Sequence, residues 1–267
     1  MNMKILLMLF MVYFQYNKTY SLKPDVYRNS LELLANDCDV LLFESKDLIS
    51  KLICFFSKSP ISHCAMILKD PYYINSSYKG IYVIETSRFV NKDGHYIHVN
   101  PLQDVLTREF NNNNNIYWRS LRRDNDIKKC SLEKIYNEIK NSDYDFEIIH
   151  WFYVFLKIHF NIKPCSFYDK NHLFCSALLG YYYNKLNIIS NETDWNSLYP
   201  GSFYSKDKYN KYSNSMKINK CFHLAKERKI IDKPKKRNYL KNLIFRKYTN
   251  PVRYYRRTSY YKYKYLR

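Results

Sequence analysis

Glycine is scarce in this chain. Only 4 occur in 267 residues, Gly80, Gly94, Gly180 and Gly201, and none belongs to a G-x-G-x-x-G or G-x-x-x-x-G-K pattern. Loops that cradle phosphates need glycine so that the backbone can approach the ligand, which argues against dinucleotide- and nucleotide-binding folds. The 7 cysteines include no C-x-x-C pair, so neither a zinc ribbon nor a thioredoxin-type motif is supported. Long apolar runs are missing too. Ile5–Phe14 and the stretch EIIHWFYVFLKIHF, 147–160, are each too short to cross a bilayer. Acidic residues are few, 24 against 44 Lys and Arg, for a net charge of +20.

What is present is apolar and aromatic. Hydrophobic residues make up 46% and aromatic residues 18%, enough for a sizeable core. The positive charge gathers at one end. Residues 226–267 hold 16 Lys and Arg against 2 Asp and Glu, so only 6 of the 20 net charges fall on the first 225 residues. Three regions follow. Residues 1–21 have one lysine before a short apolar run, with Thr19 and Ser21 as small residues for a cleavage site. This suits a signal peptide, with an N-terminal strand or a frayed apolar end as the alternatives. Residues 22–225 form the globular body, and 226–267 a basic, tyrosine-rich, flexible tail. With a signal peptide the protein is secreted, lumenal or virion-associated; without one it is cytoplasmic.

Hydrophobic spacing sets the elements. DVLLF, 39–43, suits a buried strand, and Leu48, Ile49, Leu52, Ile53 and Phe56 fall at helical spacing. SHCAMILKD, 62–70, alternates, with His63, Ala65 and Ile67 on one face and Cys64, Met66 and Leu68 on the other. IYVIETS, 81–87, completes a hairpin. Further strands are expected at 95–99 and 116–121, with an asparagine loop at 111–115. Helices are expected at 131–142 and from Cys175 onward. The segment 147–160 reads as a buried helix or as a lipid- or substrate-facing segment.

Cys175 opens a helix in NHLFCSALLGYYYNKL. Free N–H groups at a helix start favour a thiolate, the form in which cysteine is nucleophilic. The same position suits a small core residue, since free cysteine is usually buried. A nucleophile needs a base with an orienting partner. If 62–69 and 81–87 pair antiparallel, the start of the first lies beside the end of the second, which brings Glu85 to His63. The bland alternative is an exposed cross-strand His–Glu pair. His95 and His98 would face opposite ways along a strand, so no metal site is expected, nor any cofactor.

These residues resemble a known family. CDVLLFES, SHCAMIL, VIETS, GHYIHVNPL, SDYDFEI, FCSALLGYYY and LYPGSFYS match, in order, segments of the NlpC-type papain-like cysteine hydrolases. The histidine precedes the cysteine here. The pattern is therefore similar to the circularly permuted, YiiX/YebB-like branch, which has members in large DNA viruses and is related to the lecithin:retinol acyltransferase-like enzymes. The resemblance covers about 36–204. It implies an α+β, permuted papain-like fold, an antiparallel sheet packed against the helix that carries the cysteine. It also implies Cys175 as nucleophile, His63 as general base and acid, and Glu85 as the group that orients His63. Tyr144, Ser62 and Ser176 would meet substrate, and Asp39 would hold backbone near the site. Cys38 stands where the family has glycine, and Cys64-Ala65 where it has Val-Gly.

The activity implied is a cysteine hydrolase (peptidase, amidase or acyl hydrolase) or an acyltransferase, acting on a peptide, amide or acyl-lipid through a Cys175 acyl-enzyme. The alternative is an inactive scaffold that binds nucleic acid or anionic membrane through residues 226–267, where lysine and arginine alternate with tyrosine.

Overall fold

The computed structural model describes residues 26–144, 172–205 and 216–232. The signal-peptide candidate 1–21, the apolar stretch 147–160 and the basic residues from 233 onward lie outside the described residues. Everything below belongs to one compact unit ending at Ile231.

The centre is a seven-stranded sheet. Its strands are β1 (Val26–Tyr27), β2 (Val40–Glu44), β3 (His63–Lys69), β4 (Ile81–Thr86), β5 (Ile97–Pro101), β6 (Asn115–Arg119) and β11 (Arg228–Ile231), in the order β1-β11-β6-β2-β3-β4-β5. All neighbours are antiparallel except β1 and β11. β7 (Leu121–Arg123) pairs with β10 (Phe222–Leu224), and β8 (Asp143–Tyr144) with β9 (His172–Leu173). The architecture is mixed α+β, with five α-helices among the described residues: α1 (Arg28–Leu34), α2 (Leu48–Ser57), α3 (Leu102–Asn111), α4 (Lys129–Ile139) and α5 (Cys175–Lys185).

β2 and β3 are buried on both faces, which is why they read as apolar runs. One face carries Val40, Leu42, Cys64, Met66 and Ile84 against α4 and α5. The other carries Leu41, Phe43, Ala65, Ile67 and Val83 against α1 and α3. The period-2 division of β3 therefore places its side chains as alternation requires. In α5 every residue from Cys175 to Tyr183 is buried, so the helix is enclosed on all sides rather than amphipathic. Gly180 is where it comes closest to its surroundings: a Cβ there would lie 2.7 Å from the Trp195 carbonyl oxygen.

Three sequence expectations change. The residues after Pro101 form α3, and the asparagine loop shrinks to 112–114, with Asn113 left-handed at φ 55°. The strand expected at 116–121 breaks at Ser120 into β6 and β7, which pair with different partners. The folded body also continues past 225, because β11 is an interior strand between β1 and β6. Arg119 fixes this last junction. Its guanidinium donates to the carbonyls of Phe203, Leu224 and Ala225 and faces Glu227 at 3.3 Å. Glu227 in turn accepts from the backbone and hydroxyl of Ser205.

Candidate active site

β2 and β4 both run antiparallel to β3, so their C-terminal ends lie on either side of the start of β3. His63 opens β3 opposite Phe43, whose ring lies 5.4 Å from the imidazole. Glu85 comes from the end of β4. Its Oε2 lies 2.9 Å from His63 Nε2, so an ionised Glu85 fixes the proton on that nitrogen and leaves Nδ1 for another partner. The side chain of Glu85 is 3% exposed and that of His63 28%.

The imidazole also interacts with Cys175. β9 runs directly into α5 and sets the thiol, 4% exposed, at the first position of the helix. The first three N–H groups of α5 have no acceptor within the helix, and Leu178 N–H is the first to close a turn, onto Phe174 O. The sulfur and the His63 ring are close enough to shift each other's titration. The thiol of Cys64 donates to the Cys175 sulfur and does most to push the Cys175 pKa well below the usual thiol value. Burial works against this, and the His63 imidazolium and the backbone N–H of Cys64 reinforce it. Burial disfavours a charged His63, but the Cys175 thiolate and Glu85 outweigh it and lift the imidazole to about 10. Cys64 itself moves the other way, kept protonated by burial and by the neighbouring thiolate. The shifts at Cys175 and His63 both favour a thiolate beside an imidazolium, and the shift at Cys64 favours a neutral thiol next to them.

Glu85 has a second anchor. Arg108 of α3 grips its carboxylate with two nitrogens, at 2.9 and 3.2 Å, and also reaches Glu109 at 2.8 Å. Burial would raise the Glu85 pKa, but His63 and Arg108 hold it at about 2. The strand pairing expected from sequence brings Glu85 to His63, but it does not point to Arg108 or to the neighbouring thiol of Cys64. One signal for the arginine was present. Leu102, Val105 and Leu106 define an apolar stripe, and the next position on it is Glu109, an acid that needs a cation when buried.

The other expected residues are less exposed to a substrate. Ser62 is buried; its hydroxyl donates to Phe43 O and accepts from Ser45 N–H. Ser176 is buried, and its hydroxyl donates to Leu198 O at 2.8 Å. Both were expected to meet substrate; in the structure both hydroxyls tie backbone segments together. Tyr144 pairs in β8 with Leu173, just before Cys175, and its ring lies 6.4 Å from that of Tyr96. Asp39 is fully buried and accepts from the backbone N–H of Asn36 and Leu121 and from the Trp118 indole. Burial raises its pKa to about 6 against those bonds. Cys38 takes the left-handed conformation, φ 65°, that glycine adopts at least cost. Its carbonyl accepts from the buried Tyr183 hydroxyl at 2.7 Å. His98 bonds Phe89 O at 2.8 Å. Among the described residues no group of three or more His, Cys, Asp or Glu is arranged to hold a metal ion.

One buried hydroxyl at this edge stands apart. Thr86 Oγ1 has no hydrogen-bond partner, and its residue follows Glu85 at the end of β4. A shallow depression of about 360 Å³ lies at the opposite end of the same strands, between Lys69, Gly80 and Gln103, far from the thiol.

Comparison with models of known families finds no match, and comparison with curated proteins finds none. Among solved structures, the chain is similar to the metalloprotein YiiX of Escherichia coli O157:H7, DUF1105, at 17% identity and a TM-score of 0.38. The match covers 57% of this chain and 66% of that one.

Proposed function

We propose that this protein is a cysteine hydrolase or acyltransferase of the papain-like type. Cys175 is the nucleophile, His63 the general acid and base, and Glu85 the group that holds the imidazole. The observation that carries the reading is the Cys175–His63–Glu85 alignment at the start of α5, with the thiol pushed down and the imidazole pushed up. Cys38 and Cys54 shift the opposite way, raised first by burial and then by neighbouring carboxylates.

In this reading the Cys175 thiolate attacks the carbonyl carbon of an amide or ester. A C–S bond forms, and the carbonyl π electrons move to oxygen. The N–H groups of the first turn of α5, which have no acceptor within the helix, stabilise that oxyanion. As the tetrahedral species collapses, the bond to the leaving amine or alcohol breaks, and His63 Nδ1 delivers its proton to that group. His63, now neutral, takes a proton from water or another acceptor, which attacks the thioester and frees Cys175. Glu85 keeps its charge throughout and stabilises the imidazolium.

The test needs no substrate. Iodoacetamide alkylation followed by peptide mapping reads thiolate character at each cysteine. Cys175 is expected to react at pH 6 nearly as fast as at neutral pH, and His63→Ala to slow it at least about tenfold. Rates at Cys175 that rise with pH like those of an ordinary thiol, and that ignore the His63 substitution, would sink the proposal.

A further inference from the structure

α2 is built inside out. Asp47 caps its first turn, accepting from Ser50 N–H at 3.0 Å, and Lys58 closes it in a left-handed conformation. The residues it buries are small: Ser50, Cys54 and Ser57. Those it presents to solvent are large: Leu48 is 72% exposed, Ile49 50% and Leu52 43%. A surface helix ordinarily does the reverse. A second apolar pair, Phe89 at 65% and Val90 at 51%, stands in the turn between β4 and β5.

The two segments share an edge. α2 follows the end of β2, and the turn follows the end of β4. These ends flank the start of β3, with His63 between them. Alternate strands of a sheet lie about 10 Å apart, so the apolar groups bracket the candidate site at close range.

Charge says what they meet. Lys46 and Lys51 accompany α2, and Arg88 and Lys92 accompany the turn. The Arg88 guanidinium sits 4.9 Å from the Phe89 ring centroid. The acids among them are Asp47, which is occupied in capping α2, and Asp93. Apolar side chains set among cations match a bilayer with anionic headgroups. The acyl region receives the leucines and the phenylalanine, and the cations meet phosphate and carboxylate. A neutral apolar protein surface would leave the cations unmatched.

We propose that the outer face of α2 and the 87–94 turn form a docking surface for anionic membranes, which sets the His63 edge of the sheet against the bilayer. The proposal goes beyond the acyl chemistry and does not depend on it. Cys175→Ala protein is expected to bind vesicles as wild type does, so either idea can fail alone.

The test is cosedimentation of the full chain with vesicles of phosphatidylcholine, with and without phosphatidylserine, at low and high salt. Wild type is expected to favour the phosphatidylserine vesicles and to bind less at high salt. The combined Leu48→Ser, Leu52→Ser and Phe89→Ser substitutions are expected to weaken binding at least about tenfold while the thermal midpoint holds. A Phe89→Trp protein is expected to shift its emission to the blue on vesicle addition. Wild-type binding by the triple variant would overturn the proposal and assign lipid contact elsewhere, such as the basic residues beyond 232. So would a wild type that ignores every vesicle, or one that pairs with itself through this face in the absence of lipid.

Discussion

Glu85 and Glu227 are both buried carboxylates facing an arginine, one beside Cys175 and the other where β6 meets β11. Their surroundings differ in what remains to be held. Around Glu227 every partner is structural: Arg119 and Ser205, with Arg119 also binding three backbone carbonyls. Around Glu85 one partner is an imidazole that also interacts with a thiol. The arginines record the contrast. Burial pulls both guanidinium pKa values down. At Arg119 burial wins and the value falls; at Arg108 the attraction of Glu85 and Glu109 overcomes it and the value rises. Similar chemistry thus serves cohesion in one place and poises a proton-transfer group in the other.

The largest effect should come from breaking the structural cluster. Arg119→Leu strands Glu227 without its cation and leaves three buried carbonyls without donors. A loss of about 3–5 kcal/mol in unfolding free energy is expected from urea titration. Alkylation at Cys175, measured under folding conditions, should change little. A variant that stays as stable as wild type would show that the Arg119 cluster is dispensable and that β11 is held by the ladder alone.

The same contrast explains which parts could be read from sequence. The alternation in 62–70 set the faces of β3, and antiparallel pairing with 81–87 would bring the end of β4 beside its start, where the His63–Glu85 contact lies. Arg108 was hidden because α3 begins just after Pro101, which offers no capping side chain, and runs into an asparagine stretch. β11 was hidden for a different reason. Its residues, Arg-Lys-Ile-Ile, lie at the entrance to a strongly basic stretch, and the contacts that hold it come from Arg119 and from β6, more than 100 positions away in sequence. Local patterning carries no trace of such a partner. Ser62 and Ser176 show a different limit of local reading. Adjacency to a reactive residue says little about where a hydroxyl points, and both were needed to tie backbone.

Glu85→Gln tests the second cluster at intermediate size. An amide cannot supply the negative charge that, together with Cys175, lifts His63 to about 10. The His63 titration midpoint, followed by NMR, should therefore fall, and Cys175 alkylation at neutral pH should slow about tenfold to a hundredfold. The signs for stability follow. Glu85 titrates at about 2 when folded against an ordinary value of 4.5, so its contribution is complete above that ordinary value and is lost as pH falls toward 2. His63 behaves oppositely: its contribution is complete below its ordinary 6.5 and is lost as pH rises through about 10. Wild type should thus lose an acid-side increment of stability that the glutamine variant never had. Identical His63 midpoints in the two proteins would remove Glu85 from its orienting role.

The smallest effect should belong to Arg108→Lys. Lysine keeps the positive charge near Glu85 but cannot grip both carboxylate oxygens in one plane, and it loses the second hold on Glu109. Arg108 touches neither the thiol nor the imidazole, so it acts through Glu85 as a positioning residue. A change of only a few-fold in Cys175 alkylation is expected, with the His63 midpoint lowered by less than in Glu85→Gln. Arg108→Ala should then lower it further, and that ordering separates charge from geometry. If the lysine variant matched the alanine one, the bidentate grip would be what matters. If it matched wild type, nearby positive charge would suffice, and Arg108 would resemble Arg119 less in its geometry than in its sign.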